Sequence, residues 1–144
     1  MASISEQRQA IYDTLNDPSD DLTVLTTTPG TNPNYPALII QPVTASFTTR
    51  QALKGGQDVF EWDLVILVSG ADLGVAQLAL DEYLAGSGPR SIRQRIRERK
   101  DLGLDDMNRT SAWVDRMESY GISLSSAPEE RDFGAVLRLI VRTT

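Results

Sequence analysis

Apolar and polar residues alternate most regularly between Asp58 and Gly70, where Phe60, Trp62, Leu64, Ile66 and Val68 fall on one side of an extended chain. The other side carries Val59, Glu61, Asp63, Val65 and Leu67, charged where the strand begins and apolar where it ends. A strand of a small antiparallel sheet ordinarily shows water one polar face. This strand needs cover along one face throughout and along both near its end, which predicts that other copies of the chain complete its burial. The terminal run Phe133–Arg142 alternates too, with Ala135, Leu137, Leu139 and Val141 inward and Arg138 and Arg142 outward. Tyr35–Pro42 predicts a short buried strand bracketed by prolines, which cannot donate to a ladder. Ser111–Tyr120, of mixed pattern, predicts another.

Helical spacing appears in three places. Ser3 to Glu6 fits a capping box opening a helix with Ile4, Ile11 and Leu15 in a narrow stripe, closed by Asn16-Asp17-Pro18. Asp72 can cap a second helix, with Leu73, Ala76, Ala79, Leu80, Tyr83 and Leu84 in one arc and Gly86 at its end. Val75 and Leu78 fall outside that arc, so this helix has more apolar surface than one sheet face can cover. Ser91–Lys100 predicts a third, short helix with Ile92 and Ile96 one turn apart, followed by a turn at Leu102-Gly103-Leu104. The polar stretch Ser19–Tyr35 predicts a long loop with room for a short extended segment. Val43–Gln57, with Lys54-Gly55-Gly56 near its tip, predicts a hairpin connection or an arm. Helices interrupting paired strands define an α+β fold: a mostly antiparallel sheet of about four strands with helices packed on one face, in a single domain spanning residues 1–144.

Composition narrows the chemistry. The chain has no cysteine and no histidine, which removes disulfides, thiolate chemistry, the commonest general base and the commonest metal ligand. No apolar run reaches the length of a membrane span, and the N-terminus lacks a signal-peptide profile, so the protein is read as soluble, with no membrane partner. The formal charge of −6 is uneven. Between Arg90 and Lys100, six basic residues face Glu98 alone, which leaves −11 on the rest of the chain. An acidic body with one basic segment suits docking on a neighbour's acidic surface better than wrapping nucleic acid, the more so as no aromatic lies in that segment. Arg90, Arg93 and Arg97, with the surplus apolar Val75 and Leu78, are therefore the candidate subunit interface. Trp62 and Trp113 read as core or interface anchors.

Asp58, Glu61 and Asp63 form the one carboxylate group that suggests catalysis; Glu61 and Asp63 share a strand face and could hold a divalent ion together. A solvated strand start explains them as well. The serines have no histidine to activate them, no Gly-x-Ser-x-Gly elbow is present, and Gly70 and Gly74 form no phosphate-cradling loop. A non-enzymatic protein without cofactor or metal is the expectation.

The order of motifs carries a resemblance. It runs from the capped N-terminal helix through Tyr35-Pro36-Ala37-Leu38-Ile39-Ile40-Gln41-Pro42 and Phe60–Val68 to the helix ending Leu80-Asp81-Glu82-Tyr83-Leu84. Ser91-Ile92-Arg93, Tyr120-Gly121 and the strand Phe133–Val141 follow. The chain resembles the tail terminator (tail completion) proteins of long-tailed bacteriophages, a family close in size and class to other head–tail joining proteins. The resemblance implies a virion protein, assembled in the host cytoplasm, that forms a homo-hexameric ring at the head–tail junction. Such a ring caps the tail tube and meets a head connector or stopper protein, while DNA passes through its lumen without specific binding. On that reading Glu61 and Asp63 become lumen charges, and the loop bearing Arg50, Lys54, Gly55 and Gly56 becomes the contact with the tube. The alternatives are a stopper or adaptor of the same junction, a small metal-dependent enzyme using Asp58, Glu61 and Asp63, or a ligand-binding regulatory domain.

Overall fold

The computed structural model describes residues 3–17, 21–26, 35–47, 58–69, 73–104, 110–122 and 132–143. Its elements are α1 (Ile4–Leu15), β1 (Thr23–Leu25), β2 (Ala37–Phe47), β3 (Asp58–Ser69), α2 (Leu73–Leu84), α3 (Ile92–Glu98), β4 (Ser111–Ile122) and β5 (Asp132–Thr143). The five strands form one sheet in the order β1-β2-β3-β5-β4, and every pairing but the parallel β1–β2 is antiparallel. The architecture is the expected α+β fold, with one more strand than the pattern indicated.

Strand β3 is the centre of the sheet, paired along its length with β2 on one side and β5 on the other. Its alternation is realised as read: Phe60, Trp62, Leu64, Ile66 and Val68 are buried beneath the helices, and the intervening residues are half-buried on the opposite face. Register then fixes the core. Leu137 lies opposite Leu64 and Leu139 opposite Trp62 on β5, while Leu38 lies opposite Ile66 on β2. Ala76, Leu80 and Tyr83 of α2 and Ile92 and Ile96 of α3 close over this surface. Each large apolar side chain removed from water here contributes about 1.5–3 kcal/mol.

The stretch from Ser19 to Tyr35 holds the short extended segment it had room for: β1, whose Val24 pairs with Leu38. The strand expected to stop at Pro42 continues to Phe47, so Val43 belongs to β2 and not to a connecting arm. The ladder tolerates Pro42 for two reasons. β1 pairs only with Ala37–Ile39, which leaves the rest of β2 as an edge, and the register shifts between Pro42 and Thr44. α2 ends at Leu84, which puts Gly86 two residues beyond it at C′ as expected, although the positive φ is at Gly88, at 118°. The proposed N-cap Asp72 and the loop residues Arg50, Lys54, Gly55 and Gly56 lie outside the described residues.

Helix α1 starts as expected, with the Ser3 hydroxyl accepting from the Glu6 N–H at 3.1 Å. Its buried stripe is Gln7, Ala10, Ile11 and Leu15, and Ile4 is exposed. Gln7 is buried because the Trp62 indole N–H, sealed in the core, donates to its Oε1 at 3.2 Å. A buried donor left without an acceptor costs about 1–3 kcal/mol, so Gln7→Ala is expected to lower the unfolding free energy by about that amount in urea titrations. An unchanged midpoint would show that Trp62 does not depend on this acceptor.

Candidate functional site

Two surfaces combine unusual chemistry with exposure. The first is the helix-free face of the sheet. Asp63 of β3 and Arg138 of β5 are directly opposite in register, as are Arg138 and Arg116 of β4. Two arginines opposed across a ladder repel, and this arrangement holds only if carboxylates lie between them. The structure supplies them. Arg138 Nε lies 2.8 Å from Asp63 Oδ1, and its Nη atoms lie 3.5 Å from Glu61 Oε2 and 3.8 Å from Glu118 Oε1. Glu118 also pairs with Arg116, which pairs in turn with Asp115. Thr44 Oγ1 donates to Glu61. Only 13% of the Arg138 side chain is exposed, so its charge is well shielded and gains more from its partners than a surface pair would. Glu61 and Asp63, the expected lumen charges, thus sit on one open face as parts of an ion network. Four carboxylates share two guanidinium groups, and the patch is net acidic.

Asp58 belongs elsewhere. It is buried on the helix side of β3, opposite Thr143 and Phe47 in register, so the trio Asp58, Glu61 and Asp63 does not converge. Among the described residues no group of three or more carboxylates is placed to hold a metal ion.

The second surface runs along the β4 side of the helix layer. Ser91 caps α3, accepting from the Gln94 N–H at 3.0 Å and donating to the Ala85 carbonyl. This anchors a helix whose Ile92 and Ile96 are buried and whose Arg93 and Arg97 stand on one flank, with Lys100 in the turn beyond its end. That flank and β4 enclose a groove of about 220 Å³, with Ile96, Ala112, Trp113 and Val114 among its lining residues. Arg142 stacks on the Trp113 ring at 5.3 Å. Both lie on the sheet face turned away from α3, because Trp113 is opposite Ile140 and Arg142 points outward, so the basic segment gains no aromatic ring and Trp113 only borders the groove. A wider groove of about 450 Å³ separates α2 from β4 and is lined by Asp81, Leu84, Arg93, Met117 and Tyr120, among others.

The expected interface residues divide between places. Arg93 and Arg97 line the α3–β4 groove. Arg90 is 3.5 Å from Glu82 and lies 5.9 Å from the Tyr83 ring centroid, at the end of α2. Val75 and Leu78 are 64% and 69% exposed on α2, the most exposed large apolar side chains among the described residues. Strand β4 is the sheet edge, yet it is poorly suited to pairing with another strand. Its register shifts between Val114 and Arg116 and again between Met117 and Ser119, it carries charges at both shifts, and its Ala112 N–H is already bonded to the Lys100 carbonyl at 2.7 Å. The contribution of Arg138, Arg116, Glu118 and Tyr120 was not foreseen from sequence; the outward position of Arg138 was the one signal available.

No protein-family model matches this chain, and no curated protein matches it in sequence.

Two predictions follow from the side chains above. Replacing Arg138 by Leu leaves Glu61, Asp63 and Glu118 facing one another and is expected to destabilise the fold by about 1–3 kcal/mol, less than for a fully buried pair because the carboxylates reach water. Asp63→Asn should cost less, and equal losses in denaturant titrations would contradict the central role of Arg138. Burial, and then the hydrogen bond donated to Asp81 at 2.9 Å, push the Tyr120 phenol above its ordinary value. The stabilisation this gives is complete below pH of about 10, the unfolded value, and is lost as pH rises through the folded one. Tyr120→Phe should therefore flatten the alkaline limb of the stability profile; an unchanged limb would contradict this.

Proposed function

We propose that this protein is a structural subunit of a long-tailed bacteriophage virion, a tail terminator that assembles into a homo-hexameric ring. The ring caps the tail tube and joins it to the head connector or stopper protein, with DNA passing through its lumen. The reading rests on the resemblance in motif order and on the way the exposed apolar and basic surfaces are distributed. The exposed apolar residues of α2 extend from its crest to the flank turned away from β4, whereas the basic groove lies beside β4. Surfaces on different sides of a subunit join copies head to tail, and such contacts close into rings when their rotation closes. The acidic open face with Glu61 and Asp63 fits a lumen that repels phosphate, since binding to DNA comes largely from phosphate neutralisation. The metal-enzyme alternative loses its donor set, because Asp58 lies on the other face of the sheet.

Mass measurement of the assembled particle with negative-stain imaging, alone and with polymerised tail tubes, tests the proposal. Six-subunit rings seated on tube ends are expected. A monomer at every concentration that forms no ring even beside tubes would contradict it, and rings that bind a portal-side protein in place of tubes would assign the stopper role.

A further inference from the structure

We infer that the α3–β4 groove is the socket for helix α2 of a second copy of this chain, with Leu78 and Val75 seated on its apolar floor. The inference rests on the ring reading and names the two surfaces that would make the ring contact. Arg93 and Arg97 lie at i and i+4 on one flank of α3, and with Lys100 in the turn that follows they rim the groove. Among the described residues these three form no ion pair. Like charges at this spacing repel and destabilise a helix, so the arrangement favours an occupant that brings negative charge. Between the cations lies a floor of Ile96, Ala112 and Val114, so the occupant must also bring apolar surface.

Helix α2 offers both. It contains Asp81 and Glu82 and no basic residue, and its C-terminal carbonyls add the negative end of the helix dipole. Its Val75 and Leu78 are aliphatic and more than three-fifths exposed. The exposed Glu82–Arg90 pair, 3.5 Å apart, is weak enough to exchange partners on docking. A groove of about 220 Å³ suits aliphatic side chains better than a nucleic-acid backbone. A duplex lying there would also run against a body whose net charge outside Arg90–Lys100 is −11. Ridge and socket lie on different sides of the same subunit, so each copy can give one and receive the other.

The test uses two full-length variants, Leu78→Lys, which breaks the ridge, and Arg93→Glu/Arg97→Glu, which breaks the socket. All three substitutions are on exposed side chains, and circular dichroism confirms the fold; Leu78→Ser and Arg97→Ala serve as milder versions. Wild type should assemble in sedimentation velocity, and each variant should raise its half-assembly concentration by about tenfold or more. Mixing the two variants should then give a one-to-one dimer and nothing larger, because only one intact ridge and one intact socket remain to meet. Variants that assemble like wild type would overturn the surfaces and leave the ring reading standing. Variants that fail separately and also fail when mixed would overturn the match of ridge to socket. A wild type that stays monomeric overturns the ring reading along with this inference, and salt-sensitive DNA binding lost in Arg93→Glu/Arg97→Glu would then mark the groove as a phosphate site.

Discussion

Strand β3 has one face that excludes water and one that meets it, and the placing of the other elements follows from that division. Phe60 through Val68 demand an apolar cover along the strand, which α2 supplies at one end and α1 and α3 supply at the other, with Trp62 reaching Gln7 across the interface. The opposite face carries Glu61 and Asp63, which are too enclosed to be left to water alone. Arg138 is the response on the neighbouring strand, and Glu118 then keeps Arg138 and Arg116 from opposing one another bare. The sheet is thus held on one side by burial and on the other by a charge network whose members come from three strands.

This division explains what could be read from the sequence. Period-two alternation in β3 and β5 and the helical spacing of Ile92 and Ile96 are local signals, and they gave the elements and most of the core. The failures are non-local or depend on context. Thr23–Leu25 is too short to show a period, and it is a strand only because Leu38 and its neighbours offer a parallel edge. Pro42 reads as a stop, yet it is tolerated where, among the described residues, no strand pairs with the outer side of β2. Asp58, Glu61 and Asp63 look like one cluster in sequence, but alternation places Asp58 on the far side of the sheet. The partner of Asp63 is 75 residues away, and only the register of β3 with β5 identifies it.

The surfaces left over share a common feature. Leu78, Val75 and the cationic flank of α3 are each unfavourable in an isolated subunit, the first two for apolar exposure and the third for like-charge repulsion. The edge strand β4, by contrast, is protected by two register shifts and by its charges, so extending the sheet is a poor route to assembly. Packing a helix of one subunit against the helix–strand groove of another removes both costs at once. It does so without disturbing β3 or the network around Arg138.

Amide hydrogen exchange compared between dilute and concentrated protein tests this account most directly, because it locates any contact between copies. The account predicts that α2 and the α3–β4 segment gain protection together as concentration rises, while amides at the centre of β3 stay unchanged. Protection that rises along the β4 edge alone, or at neither α2 nor α3, would contradict it.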